Sequence, residues 1–324
     1  MLITLEETKA LINEGKILHI AADESLLKQL PKGKWIAGTT PYFITEKGGM
    51  ICKDKLFVDV IGHAVAFKTS VYTKETIFNL SKDAYANGMV FLIIPFASET
   101  AVFFAKEAPN SEDLLMTPTV GWISGFDLSG NATAKVFDGM SGTSYEDKAV
   151  ALHICLPDHK AASIGIINIF DIDRESDKIE FIEDTLSVSK CYVNKKEVVF
   201  LDYLSENGID TKLPLVSDYN SVLVNVSIKE VSQENKTVDF YAPVFKDKEY
   251  HFANPISNYA VRFGERLKAI PEAVPVFSCN CILNYLYGEL EGKATPPFAG
   301  PITFGEIAYL LLNQTLVYTE IIDK

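Results

Sequence analysis

The chain has 324 residues, with 48% hydrophobic and 23% charged side chains and a formal charge of −13. That balance describes a soluble globular protein with room for one large or two ordinary domains. No long Lys/Arg block appears, which argues against nucleic acid or an anionic membrane as the main partner, because both need basic patches.

The first helix is predicted in "TLEETKALINEG", where Thr4 and Glu7 have capping-box spacing and Gly15 supplies the stop. "KILHIAA" reads as a buried strand, "DESLLKQLPKG" as a short helix ended by Pro31, and "KWIAGTT" as a second strand. "KLFVDVIGHAVAFKT" reads as a strand pair or one bent strand. "TKETIFNLSKDAYANG" is predicted to be a helix capped by Thr73, with Ile77, Leu80 and Ala84 on one face and Gly88 as its stop. "MVFLIIP" is a buried strand, broken by Pro95 and too short for membrane insertion, and "SETAVFFAKEA" is a helix. Strand and helix thus alternate early, as in an α/β layer.

After Pro118 the pattern turns to sheet. "VGWISGFDL", "KAVALHICL", "SIGIINIFDI", "IEFIEDTLSVSKCYV", "KEVVFLDYL" and "SVLVNVSIKEV" read as strands, separated by Ser-Gly, Asp-Gly, Pro-Asp and Asn-Gly turns. "ISNYAVRFGERLKAI" reads as a helix, "VPVFSC" as a strand, "CILNYLYGELEG" as a helix ended at Gly288 or Gly292, and "TLVYTEII" as the last strand. The expected class is α/β (α+β), with two sub-domains of mixed or antiparallel sheet flanked by helices. The division is placed near residue 215, giving regions 1–215 and 216–324. One internal echo stands out: "IAGTTPYFITE" and "FAGPITFGE" share Ala-Gly, then an aromatic residue and a Glu. Chance or duplication produces such an echo, and in both copies glycine permits a close approach of backbone or ligand.

No P-loop, G-x-G-x-x-G, G-x-S-x-G or H-E-x-x-H motif is present. The five cysteines are odd in number and mostly scattered, and the start has no signal-peptide pattern, so a cytoplasmic protein without disulfides is expected. Cys279 and Cys281 form C-x-C, tighter than structural zinc spacing, and read as buried strand-end residues. His19, His63 and His153 sit in apolar strand patterns and read as satisfied core residues, while His159 reads as exposed. His251, in "EYHFANP", is the hardest to explain. "DIDRESD" lacks the glycine and closing Glu of a calcium loop and reads as a solvated acidic turn; no metal site is expected.

The stretch "PVFSCNC…FAGPITFGEIAYLLLNQTLVYTEI" resembles the end of the FIST sensory domain family, through Phe277-Ser278-Cys279, Gly300, Thr303, Gly305-Glu306-Ile307 and Asn313-Gln314-Thr315. "GKWIAGTTPYFITEKGG" is similar to that family's early turn, with Gly38, Thr39 and Thr40 kept; "GWISGFDLSGNATAKVFDG" and "KKEVVFLDYLSENGID" are similar to later segments. Pro41-Tyr42-Phe43 departs from the expected Gly-Glu, Asn280 follows the cysteine, and "DYLSEN" lacks Gly-x-Pro-Ala, so the resemblance is to a divergent member.

The resemblance implies a stand-alone, non-enzymatic sensor that binds an amino-acid-like small molecule and passes its state to a separate signalling output protein. Its ligand site would comprise Gly38, Thr39, Thr40, Tyr42, Cys279, Thr303, Gly305, Glu306 and Asn313. Turn N–H groups and hydroxyls suit a carboxylate, Glu306 suits an ammonium group, and Tyr42, Phe43 and Phe304 suit apolar walls. The competing reading of Glu306 is a turn or cap residue, and of Asn313 and Gln314 sheet-edge hydrogen bonding. No cofactor is expected; the alternative is a haem-binding nitric-oxide sensor using His251, His153 or His63. A third class is a hydrolase or transferase using Cys279 or the turn carboxylate.

Overall fold

The computed structural model describes residues 1–130, 132–219, 222–270 and 272–324. With 43% strand and 18% helix in several mixed or antiparallel sheets, the protein is a mixed α/β fold. Its plan is three topologically equivalent units. The first runs β1 (Leu2–Ile3), α1 (Leu5–Asn13), β2 (Leu18–Ala22), α2 (Glu24–Leu27), β3 (Trp35–Thr39), β4 (Tyr42–Thr45), β5 (Gly48–Ile51) and β6 (Leu56–Val60). The second runs β7 (Ala66–Tyr72), α3 (Asn79–Asp83), β8 (Gly88–Pro95), α4 (Glu99–Glu107), α5 (Glu112–Leu115), β9 (Thr119–Ser124), β10 (Val136–Asp138), β11 (Thr143–Tyr145) and β12 (Ala149–Cys155).

The third unit starts with β13 (Lys160–Asn168) and is then interrupted. The insertion holds β14 (Ile179–Phe181), β15 (Thr185–Val188), β16 (Lys190–Val193), β17 (Lys196–Val199), α6 (Phe200–Glu206), β18 (Leu215–Tyr219), β19 (Val222–Val226), β20 (Ile228–Ser232), β21 (Thr237–Val244) and β22 (Glu249–Phe252). The third unit resumes with α7 (Tyr259–Lys268), β23 (Phe277–Cys281), α8 (Ile282–Tyr287), β24 (Gly300–Thr303), β25 (Glu306–Ala308), β26 (Leu310–Leu312) and β27 (Thr315–Asp323).

Strand pairing proves the equivalence. Each unit has one parallel pair bridged by helix, namely β2 with β3, β8 with β9, and β23 with β24. Each closes with a return strand antiparallel to the first member of that pair. Each lends its hairpin to another unit: β10-β11 joins β3, β25-β26 joins β9, and β4-β5 joins β24. The three six-stranded sheets therefore close as a ring, and no unit completes its sheet alone. The insertion forms a separate six-stranded sheet, β17-β16-β14-β22-β18-β19, and a three-stranded one, β15-β21-β20.

The ring fixes the centre of the core. His19, Phe91 and Phe277, at matching places on β2, β8 and β23, touch mutually with ring centroids 5.7, 4.8 and 5.6 Å apart. His19 is fully partnered there. Its Nε2 accepts from Trp122 Nε1 at 2.8 Å, so Nδ1 carries the proton and donates to Asp59 at 3.0 Å. The internal echo is a true repeat displaced by one residue, because Ala37 on β3 matches Gly300 on β24 by its hairpin partner.

The α1 capping box is present, with Thr4 accepting from Glu7 N at 3.3 Å and Glu7 accepting from Thr4 N at 2.8 Å. Three expectations need correction. The helix from Thr73 shrinks to α3, because Thr73 and Thr76 spend their hydroxyls on Glu75 and on the local backbone, forming turns instead. "IEFIEDTLSVSKCYV" is three strands of two different sheets, and most of "KEVVFLDYL" is α6, whose Phe200, Leu201 and Leu204 share a buried face. His63 lies in an exposed turn between β6 and β7. Ser221, at the head of one predicted strand, lies outside the described residues. Among the described residues no helix is long and apolar enough to cross a membrane.

Candidate functional site

The ends of β3, β9 and β24 converge, and there the two echoing turns meet. Gly125 N donates to Thr39 O at 2.8 Å, and Phe304 N donates to Ile123 O at 3.1 Å. The third equivalent position is Pro41, which has no N–H. The Thr40 hydroxyl takes over and donates to Ile302 O at 2.8 Å. Thr40 is therefore a closure bond of the ring.

The other predicted residues are equally engaged. A Cβ on Gly38 would lie 2.7 Å from the Trp122 ring, so this glycine serves close packing. Thr39 Oγ1 donates to Gly125 O at 2.7 Å and accepts from Lys135 N at 2.9 Å. Tyr42 Oη accepts from Leu128 N at 3.0 Å. Cys279 Sγ donates to Gly121 O at 3.4 Å. Gly305 packs against Asn313, whose Nδ2 donates to Leu312 O at 3.0 Å and whose Oδ1 is buried without a partner.

Glu306 is the exception that chemistry must explain. It is fully buried on β25, opposite Trp122 and Leu312. Matching positions in the other units carry Val136, opposite Gly38, and Phe43, opposite Pro301. The fold thus accepts hydrocarbon at this place twice and a carboxyl once. Oε1 accepts from the Thr303 hydroxyl at 2.8 Å; Oε2 accepts from Thr315 N at 3.2 Å and from the Thr315 hydroxyl at 2.8 Å. The Cys281 thiol adds a weaker contact. Burial outweighs these donors and pushes the carboxyl up to about 8, so it holds its proton at neutral pH. The proton has a place to go: Thr303 Oγ1 can accept it while donating its own to Asn280 O at 3.3 Å. Burial also holds the Cys279 and Cys281 thiols well above their usual range, with Glu306 adding to the effect, so both stay thiols. The gap beside Cys279, between Ser278, Asn280 and Gly300, is too small for water.

From Glu306 a buried polar chain leads outward. Thr315 O accepts from Asn284 Nδ2 at 3.0 Å, and Asn284 Oδ1 accepts from Tyr259 Oη at 2.6 Å. Tyr259 Oη in turn accepts from Gln314 Nε2 at 3.2 Å, and Gln314 Oε1 accepts from Ser227 Oγ at 2.6 Å. Gln314 has a left-handed backbone with φ 51°, unusual for a non-glycine residue, and these side-chain bonds pin it. Sequence reading missed Tyr259, Asn284 and Ser227, and named Thr315 only within the Asn313-Gln314-Thr315 motif. The available signal was Asn284, a lone polar residue inside the apolar helix run "ILNYLY".

Tyr259 is the first residue of α7, where Asn258 Oδ1 caps by accepting from Val261 N at 3.0 Å. Beside this helix start lies an open cleft of about 360 Å³, lined among others by Asp171, Asn254, Ile256, Asn258, Arg262 and Glu265. Arg262 lies 3.9 Å from Glu265, and Asn254 N fixes the Asp171 carbonyl at 2.8 Å.

The histidines named as haem ligands are elsewhere and apart. His153 Nε2 meets Tyr72 Oη at 3.0 Å, Tyr72 donates to Asp83 at 2.6 Å, and burial depresses His153 to about 4. His251 bridges Ser176 O at 3.1 Å and Glu249 at 3.2 Å.

The model of one protein family matches residues 3–322. The chain belongs to DUF6976, a family of unknown function. This match covers nearly the whole chain and overturns the FIST resemblance, and the sensory role drawn from that resemblance loses its support. The misleading motifs are short strand-end turns. Glycines for close approach and hydroxyls that replace missing N–H groups recur wherever strands converge like this. No curated protein and no solved structure matches the chain.

Proposed function

We propose that the protein binds a small zwitterionic, amino-acid-like molecule in the cleft at the start of α7 and does not transform it. The observation that carries this reading is the charge layout of the cleft. Arg262 and the first turn of α7, where Asn258 caps Val261 N and the helix's positive end remains, offer a carboxylate site. Asp171 on the facing segment offers an ammonium site, and Ile169, Ile256 and Val261 supply an aliphatic surface. The groups with catalytic potential, Glu306, Cys279 and Cys281, support binding over catalysis by their burial in neutral form. Five free cysteines fit a cytoplasmic location.

The test is isothermal titration with amino acids, simple carboxylates and simple amines. Amino acids carrying aliphatic side chains are expected to bind. Arg262→Ala and Asp171→Asn are each expected to weaken binding at least about 10-fold without lowering the melting temperature. Equal binding by Arg262→Ala would remove the ligand from this cleft.

A further inference from the structure

Tyr259 belongs to two places at once. Its backbone opens α7 between Asn258 and Val261, which line the cleft, while its hydroxyl ends the polar chain that begins at Glu306. We propose that cleft and carboxyl are linked through this chain, so that an amino-acid carboxylate bound at α7 and an ionised Glu306 disfavour each other, and binding is accompanied by retention or uptake of up to one proton. This inference rests on the cleft reading above.

The geometry provides the coupling. Thr315 contacts Glu306 through both its N–H and its hydroxyl, Asn284 joins Thr315 to Tyr259 by bonds of 3.0 and 2.6 Å, and Glu306 lies close enough to act on Tyr259 electrostatically. Among the described residues, the titratable groups that interact with Glu306 are Cys279 and Cys281 from β23 and Tyr259 from α7; Trp122, Leu312, Thr303 and Thr315 adjoin it and carry no charge. None of these groups is a cation, so among the described residues ionisation of Glu306 places a negative charge inside the protein that its named neighbours do not compensate. A ligand carboxylate at the helix start adds a second. By linkage, whatever the ligand does to the proton on Glu306, the proton does equally to the ligand. The carboxyl titrates near 8, which puts the effect in an accessible pH range.

The probe is L-leucine, chosen for the aliphatic lining. Its affinity for the full-length chain is measured by titration calorimetry from pH 6.5 to 8.5, in two buffers of different ionisation enthalpy that together give the proton count. The wild-type protein is expected to lose about 2- to 4-fold in affinity over that range, the ceiling for one group titrating near 8, and to take up protons near pH 8. Glu306→Gln is expected to bind as wild type at pH 6.5 and to show a flat profile with no linked proton. Tyr259→Phe, which keeps the ring but removes the hydroxyl, is expected to keep binding at pH 6.5 and to flatten the profile. Binding that persists with a flat wild-type profile, or with the same slope in Glu306→Gln, overturns the linkage and leaves the cleft intact. Failure of L-leucine to bind at any pH, with the wild-type melt unchanged, sinks the cleft reading and the linkage with it.

Discussion

Replacing Glu306 with Gln should make the protein more stable at alkaline pH and leave it nearly unchanged at acid pH. The carboxyl titrates near 4.5 in an unfolded chain and near 8 in the fold. Between those values the folded state binds more protons than the unfolded state, so stability falls as pH rises. Each pH unit is worth about 1.4 kcal/mol for one fully differing group. From pH 6 to pH 8 Glu306 should therefore remove about 2 kcal/mol, with little further change above pH 9. Gln has the same shape. Its carbonyl can accept from Thr315 and its amide can donate to Thr303 Oγ1, so the hydrogen bonds at 2.8 Å survive without a proton to lose.

The assay is urea unfolding of both proteins at pH 6, 7, 8 and 9, comparing differences so that all other titrating groups cancel. The two stabilities should agree within about 1 kcal/mol at pH 6 and diverge by about 2 kcal/mol by pH 8, with the variant on top. Parallel profiles would show that Glu306 titrates alike in both states, and the picture of a sealed neutral carboxyl would be wrong.

His153 acts at the other end of the scale. Depressed to about 4 by burial, and then by Lys68, it binds fewer protons folded than unfolded, so stability should fall as pH drops from about 6.5 toward 4. His153→Gln should remove roughly 2–3 kcal/mol of that acid loss in urea melts compared at pH 7 and pH 4.5. Gly121→Ala should destabilise by about 3 kcal/mol or more in denaturant melts, because the added Cβ would fall 1.8 Å from the Leu92 carbonyl; a loss under about 1 kcal/mol would mean that β8 and β9 can move apart freely.

Local elements were legible where short-range rules decide them. The Thr4–Glu7 box and the Gly-stopped α8 follow from residues within a few positions of each other. The ring was only glimpsed, through an echo misplaced by one residue, because hairpin exchange is a long-range event: Pro301 meets Phe43, and Trp122 meets Glu306. No local pattern records which sheet a hairpin will join. The second unit was missed because its turn reads Ser124-Gly125-Phe126, without the Thr-Pro or Phe-Gly of its equivalents. Glu306 was singled out correctly as unusual, but exposure could not be read from the sequence. A carboxylate beside glycines looks like a turn residue, and only the packing shows that Trp122 and Leu312 close over it. The cleft was invisible for the same reason, since Asp171 and Arg262 stand on opposite sides of the insertion.

The three units give an internal control that a single structure rarely offers. Where all three make the same contact, as in the convergent strand-end bonds and the His19-Phe91-Phe277 cluster, the residues build the ring, even though the first unit does so with the Thr40 hydroxyl and an imidazole in place of a backbone N–H and a phenyl ring. Where one unit differs, the fold alone does not account for the residue. The departures collect in the third unit: the insertion, the buried Glu306 against Phe43 and Val136, the left-handed Gln314, and the chain through Asn284 to Tyr259. A carboxyl kept neutral by burial is expensive relative to the hydrocarbon its equivalents use, by about 3 kcal/mol at pH 7 from its titration alone. A strained turn adds to that, and neither feature helps close the ring. Gln314 bonds the Tyr259 hydroxyl at the start of α7, and Glu306 reaches the same hydroxyl through Thr315 and Asn284. That concentration of unfavourable chemistry in one of three equivalent places is what directs attention to the junction of α7, β25 and the insertion, independently of any resemblance to another family.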